Sequence, residues 1–247
     1  MRRRTGWVIG LMALAIGSCV LGFPPPASAY FVLALQEDGG PITPVVTGAS
    51  FSPVTASGTF GNFGYTFFSA VAFNGASGSG LLSATTQITS RSAGTHTLNL
   101  YVSNQDYTLP ADTLLAVRSS MGGTYGAEPG FTAGATFQMW ADAANGSLTM
   151  PVSFTNGLQV AFPTSGNAVT FGTGADPTGI FTRGDGPFSV TDMVSITTTG
   201  LGDVNYSTHV NVNPTPVPEP STLLLLGSGL AGLGGMAWRR HRTSRDA

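Results

Sequence analysis

The 247-residue chain has no lysine, only one cysteine, and charged side chains at 9% of its residues. Each scarcity excludes something. Between Tyr30 and Asn213 the cations are Arg91, Arg118 and Arg183 against ten acids, a net charge of 3 − 10 = −7. Phosphate binding needs clustered Lys or Arg, so this region is excluded as a nucleic-acid partner. The near-neutral whole-chain balance hides this, because seven of the ten arginines sit in the two ends. Cys19 falls within the first 29 residues, so a body beginning at Tyr30 forms no disulfide and must stand on its core. The body also lacks any convincing run of 3.6-residue periodicity, which argues against helices there.

What is present begins with two targeting segments. Met1 to Ala29 reads as a secretory signal: Arg2-Arg3-Arg4, an apolar run from Trp7 to Leu21, and Ala27-Ser28-Ala29 as the small-residue cleavage site, with Ala27 and Ala29 as its recognised small residues. Ile16-Gly17-Ser18-Cys19 offers a rival lipidation reading, which the cleaner Ala-Ser-Ala site outweighs. At the other end, Pro216, Pro218 and Pro220 stiffen residues 214–222. An uncharged apolar run of sixteen residues then extends from Leu223 to Trp238. Arg239, Arg240 and Arg242 follow in a basic tail, 239–247. As a helix the run covers about 24 Å at about 1.5 Å per residue, and Pro220 to Thr222 plus snorkelling arginines extend it toward a hydrocarbon core of about 30 Å. This reads as a membrane helix with its basic end retained inside.

The same residues resemble the PEP-CTERM sorting signal of Gram-negative bacteria: a Pro-Glu-Pro motif (Pro218, Glu219, Pro220), a Gly- and Leu-rich helix (Leu223 to Trp238) and a terminal Arg cluster (Arg239, Arg240, Arg242). The resemblance implies a client of exosortase, a membrane transpeptidase-like enzyme, held briefly in the inner membrane and then released to the cell surface or extracellular matrix. The three arginines would act as the membrane stop, and Pro218, Glu219 and Pro220 as the processing motif. It covers about an eighth of the chain and implies nothing about the rest.

Residues 30–213 read as short strands separated by Gly, Pro, Ser and Asn. Phe31 to Leu35 is a first strand, and Glu37-Asp38-Gly39-Gly40-Pro41 a turn. In 60–73, Phe63, Tyr65, Phe67, Val71 and Phe73 share one parity. Thr95 to Val102 alternates, with Leu98, Leu100 and Val102 inward. Further strands fall near 81–89, 114–118, 135–141, 158–162 and 168–171. Last come 188–198 and 204–213, joined by a Gly200-Leu201-Gly202-Asp203 turn. Asp192 stands on the apolar parity of its strand, which predicts a bulge that turns it outward. The expected fold is an all-β, antiparallel β-sandwich of jelly-roll type, with an N-terminal signal peptide and one C-terminal transmembrane helix.

Candidate chemistry is sparse. His96 and His209 are the only body histidines, and no Gly-x-Ser-x-Gly elbow occurs, so no catalytic residue, cofactor or enzymatic activity is expected. No metal site is expected either: zinc lacks cysteine and paired-histidine spacing, and for calcium the nearest approaches are Glu37-Asp38 and Asp185 to Asp192. Arg183-Gly184-Asp185 spells an adhesion tripeptide that chance accounts for. The aromatics Phe60, Phe63, Tyr65, Phe67, Phe68, Phe73, Phe137 and Trp140 read as core, with a sugar-stacking platform as the alternative and Trp140 as its candidate contact. The expected role is a non-enzymatic surface or matrix protein, or alternatively a carbohydrate-binding module of the exopolysaccharide.

Overall fold

The computed structural model describes residues 30–126, 128–148, 150, 154–164, 169–173, 178–215 and 225–233. The predicted signal peptide, with Ala27 and Ala29, therefore lies outside the described residues, as do Pro218, Glu219, Pro220, Arg239, Arg240 and Arg242.

Strands β1 (Tyr30–Glu37) and β2 (Thr43–Ala49) form a hairpin. Its turn is closed by the Gly40 amide donating to the Glu37 carbonyl at 2.8 Å. Asp38 and Gly39 both take positive φ, 47° and 74°. Two left-handed residues in succession match the twist of the flanking strands, the reason Asp-Gly marks such hairpins. Two further hairpins join β3 (Val54–Phe60), β4 (Phe63–Gly75) and β5 (Gly78–Ser90). The chain continues through β6 (Thr95–Tyr107), β7 (Leu114–Tyr125), β8 (Thr132–Asp142), β9 (Gln159–Thr164), β10 (Val169–Gly172), β11 (Thr178–Thr182), β12 (Phe188–Thr199) and β13 (Gly202–Pro214). No helix occurs among the described residues before 215.

Every strand pairing is antiparallel. One sheet runs β2-β1-β6-β12-β8-β9 and the other β10-β7-β13-β5-β4-β3, with β11 also on β7 and β9 joining the two through β10. Their inward rows make one cluster: Leu33, Leu98, Leu100, Phe137, Val194 and Ile196 from the first, with Phe63, Phe67, Ile88, Val117, Val204 and Val210 from the second. Each large apolar side chain so buried contributes about 1.5–3 kcal/mol. At one end, rings lock together around Phe188, which stacks on Tyr107 at 5.2 Å and meets Phe181 at 5.6 Å. The Tyr107 hydroxyl donates to the Gly80 carbonyl at 3.0 Å.

Three expectations change. The last two strands are consecutive but unpaired: β12 hydrogen-bonds β6 and β8, whereas β13 lies between β5 and β7. Each carries a full apolar row, and facing one another across the core buries both rows. Asp192 is not turned outward: the β12 irregularity falls between Phe188 and Val190, and Asp192 is 1% exposed. It is held in the core by Thr208 on β13, whose hydroxyl donates to Oδ2 at 2.9 Å. Thirdly, Phe63, Tyr65 and Phe67 do share the inward face, but register shifts in β4 at 67–70 reverse the alternation, so that Ala72 is buried and Phe73 is 41% exposed. An inserted residue flips every side chain beyond it.

A helix covers 225–233, within the predicted membrane segment, and Leu225, Leu226, Leu230 and Leu233 are all exposed on it. Among the described residues, no helix is long and apolar enough to cross a membrane.

Candidate functional site

The pairing of β1 with β6 sets Glu37 opposite Leu98, so the hairpin turn after β1 meets the first residues of β6. This brings Glu37 and Asp38, adjacent in sequence, against His96, which lies 58 residues further on from Asp38. The His96 Nδ1 sits 2.8 Å from Asp38 Oδ2, and Nε2 lies 3.1 Å from Ser92 Oγ. The Thr97 amide donates to Asp38 Oδ1 at 2.7 Å. Glu37 Oε1 accepts from the Asn62 amide at 2.9 Å and from Asn62 Nδ2 at 2.7 Å. The β3–β4 turn admits this carboxylate only because residue 61 is glycine: φ there is +54°, and a Cβ would fall 1.3 Å from Glu37 Oε2. The hydrogen bond from His96, reinforced by the Thr97 amide, holds the Asp38 carboxyl below its ordinary range. Both carboxylates and the imidazole thus converge at one end of β6, while the Tyr107 aromatic cluster closes the other end, about 40 Å away along the strand.

Chemically this arrangement can hold a cation or polarise the Ser92 hydroxyl through His96. The second use is weakened by geometry. The Asp38 side chain is 48% exposed. Ser92 Oγ is itself bonded by the Gly94 amide at 3.2 Å.

The other candidates are dispersed. His209 is exposed on the outward row of β13, opposite Ser120. Asp185 is exposed and Asp192 is in the core, so the two do not converge. Arg183 is buried, 7% exposed, which withdraws it from the adhesion tripeptide. Its guanidinium donates to the carbonyls of Thr108, Pro110 and Gly186 and lies 5.5 Å from the centre of the Phe188 ring.

Among the aromatics, Phe63, Phe67 and Phe137 are buried in the core, with Phe60 and Tyr65 packed against it. Trp140 alternates with Phe137 and Met139 and so lies on the outer face of its sheet, yet is only 8% exposed. The segment after β8 folds back here: Thr155 bridges Trp140, and the Leu148 amide donates to Ser103 Oγ at 3.1 Å. Phe68, by contrast, is 54% exposed. It borders an open groove of about 390 Å³ with Thr55, Ala56, Ser57, Thr66 and Phe67.

Sequence reasoning named Glu37, Asp38 and His96 but did not join them, because only β1–β6 register does so. It missed Asn62 and Ser92, polar loop residues with no pattern of their own.

A comparison with curated proteins finds no match. A family model for the PEP-CTERM protein-sorting motif matches residues 216–242, which contain the Pro-Glu-Pro sequence, the apolar run and the arginines of the tail. The chain carries a PEP-CTERM protein-sorting motif at its C-terminus and is thereby an exported protein sorted by exosortase to the cell envelope or surface.

Proposed function

We propose that the protein is a non-enzymatic component of the cell surface or the extracellular polysaccharide matrix. Its body is a jelly-roll-type sandwich displayed after exosortase acts at Pro218-Glu219-Pro220. The apolar run 223–238 serves as the temporary inner-membrane tether, with Arg239, Arg240 and Arg242 behind it. The sorting motif at 216–242 carries this reading. The strand order supports the jelly roll: β5-β13-β7-β10 faces β6-β12-β8-β9, and β5–β6, β7–β8 and β12–β13 each step from one sheet to the other. Support for a non-enzymatic body comes from the half-exposed Asp38 beside His96. Water there screens the charge stabilisation that acyl transfer demands.

Glu219→Ala is expected to block maturation, leaving the protein at full C-terminal mass in the inner-membrane fraction. Mass spectrometry of fractionated cells checks this; a mature product of unchanged mass and location removes Glu219 from the processing step.

A glycan-binding reading finds support in Phe68, an exposed ring beside Thr55, Ser57 and Thr66. Aromatic faces pack on sugar rings in such settings. On a glycan array, Phe68→Ala is expected to abolish binding to a neutral exopolysaccharide while leaving the fold intact. A blank array for the unmodified protein rejects the reading. Trp140→Ala, at a covered position, is expected to lower stability instead.

A further inference from the structure

We propose that Glu37, Asp38 and His96 form a binding site for one divalent first-row transition cation, with zinc(II) the best fit. Such a site is independent of how the chain is sorted. One ligand atom from each residue falls within 4.8 Å of the others. Ligands sharing an ion at about 2.0–2.2 Å are necessarily this close. Asp38 Oδ2 and His96 Nδ1 stand at a direct hydrogen-bond distance of 2.8 Å, and an opening of about 0.5 Å brings them to two adjacent corners of a tetrahedral zinc site.

Each donor is also anchored from behind. Glu37 uses Oε1 for Asn62, while Oε2 lies against Gly61. Asp38 uses Oδ1 for the Thr97 amide and keeps Oδ2. His96 engages Ser92 through Nε2, while its Nδ1 faces Asp38 Oδ2 and has Asn62 Nδ2 at 3.3 Å, a contact that an ion would displace. Metal ligands are oriented in this way, with the far atom of each fixed by a second group; here an ion would replace the direct Asp38–His96 hydrogen bond between the near atoms. The anchors come from two separate segments, the β3–β4 turn at Asn62 and the stretch 92–97, which meet the β1–β2 turn, so the convergence is a product of the fold and not of one flexible loop.

Donor chemistry selects the ion. Two carboxylates and an imidazole, without sulfur, suit zinc or manganese; calcium prefers oxygen throughout. Within the N/O series zinc binds more tightly than manganese. The local charge of −2, inside a body of −7, favours any cation. Exposure of Asp38 leaves the remaining positions to water. With three protein donors and a hydrated face, the expected dissociation constant is on the order of 10 µM.

The test is isothermal titration of the full-length chain in detergent, without a histidine tag, with zinc chloride, manganese chloride and calcium chloride at pH 7. The expected result is one zinc per chain, weakened at least tenfold by His96→Gln or Glu37→Gln and unchanged by His209→Gln, with calcium at least tenfold weaker than zinc. Thermal unfolding run in parallel should show zinc raising the midpoint of the unmodified protein and leaving that of His96→Gln in place. Millimolar or absent zinc binding overturns the site. So does zinc binding, or a zinc-raised midpoint, that survives His96→Gln. Calcium binding as tight as zinc overturns the assignment of the imidazole as a ligand.

Discussion

Replacing Arg183 by methionine should destabilise the body by about 3–4 kcal/mol, the size expected when charged hydrogen bonds are removed and their buried partners stranded. Arg183 follows β11 at the aromatic end of the sandwich and ties together three pieces of backbone. Its Nη1 donates to Thr108 at 2.7 Å and to Pro110, and its Nη2 to Gly186 at 3.0 Å. The connection after β6 is thereby fastened to the turn before β12. Methionine keeps most of the apolar stem, so packing on Phe188 is largely retained. What disappears is the donor set, leaving three carbonyls without their partner. Lysine should recover only part of the loss, since one ammonium cannot reproduce the fork of a planar guanidinium. For a body of this size the melting temperature should fall by about 10 °C, at about 2–4 °C per kcal/mol. Circular dichroism melts of both variants check this. A melting temperature within about 2 °C of the original would mean that the carbonyls find water instead.

That anchor illustrates what the sequence could and could not disclose. Strands with a clean two-residue rhythm were legible: Leu98, Leu100 and Val102 point inward as expected, and so do Val204, Tyr206, Val210 and Val212. The class of fold and the C-terminal sorting motif were legible for a similar reason, because each repeats a local pattern. Strands β2 and β3 escaped because they are edge strands, Thr-, Gly- and Pro-bearing, with little to bury. β11 escaped because only Phe181 of its five residues is buried. Arg183 looked like part of an adhesion tripeptide, since nothing local shows that a positive charge will be capped by carbonyls from residues 108 and 110. The Glu37–Asp38–His96 cluster failed to appear for the same reason. Its members belong to a hairpin turn and a strand start whose meeting depends on non-local register, and such register is specified by the buried rows and not by the polar residues themselves.

Asp192 is the case where the sequence raised the right question and the fold gives a different answer, with a consequence in pH. Its carboxyl lies between the sheets, with Oδ2 bonded to Thr208 and Oδ1 without a partner among the described residues. Tyr107 and Tyr206 feel its charge across the core, and burial keeps both phenols neutral far above the physiological range. Burial likewise pushes the Asp192 pKa up to about 7, offset only in part by hydrogen bonding from the Thr208 hydroxyl and the Val102 backbone. A carboxyl whose pKa is higher folded than unfolded binds its proton more tightly in the folded state. Its contribution is therefore intact below the unfolded value near 3.8, declines as pH rises, and is fully lost above about 7. A shift of this size corresponds to about 4 kcal/mol at most, and water entry will lessen it. The Asp38 carboxyl, shifted downward, acts with the opposite sign, but it is solvent-exposed and its effect falls below pH 4. Asp192→Asn should accordingly remove the decline: about equal to the original protein near pH 4.5, and more stable by about 2–3 kcal/mol at pH 8. Asparagine keeps the shape and can still accept from Thr208, so the change isolates the charge. Urea unfolding at pH 4.5, 6 and 8 reads the difference directly. If the variant and the original lose stability in parallel between pH 5 and 8, Asp192 is not the titrating group, and the ionised carboxylate must have found water inside the sandwich.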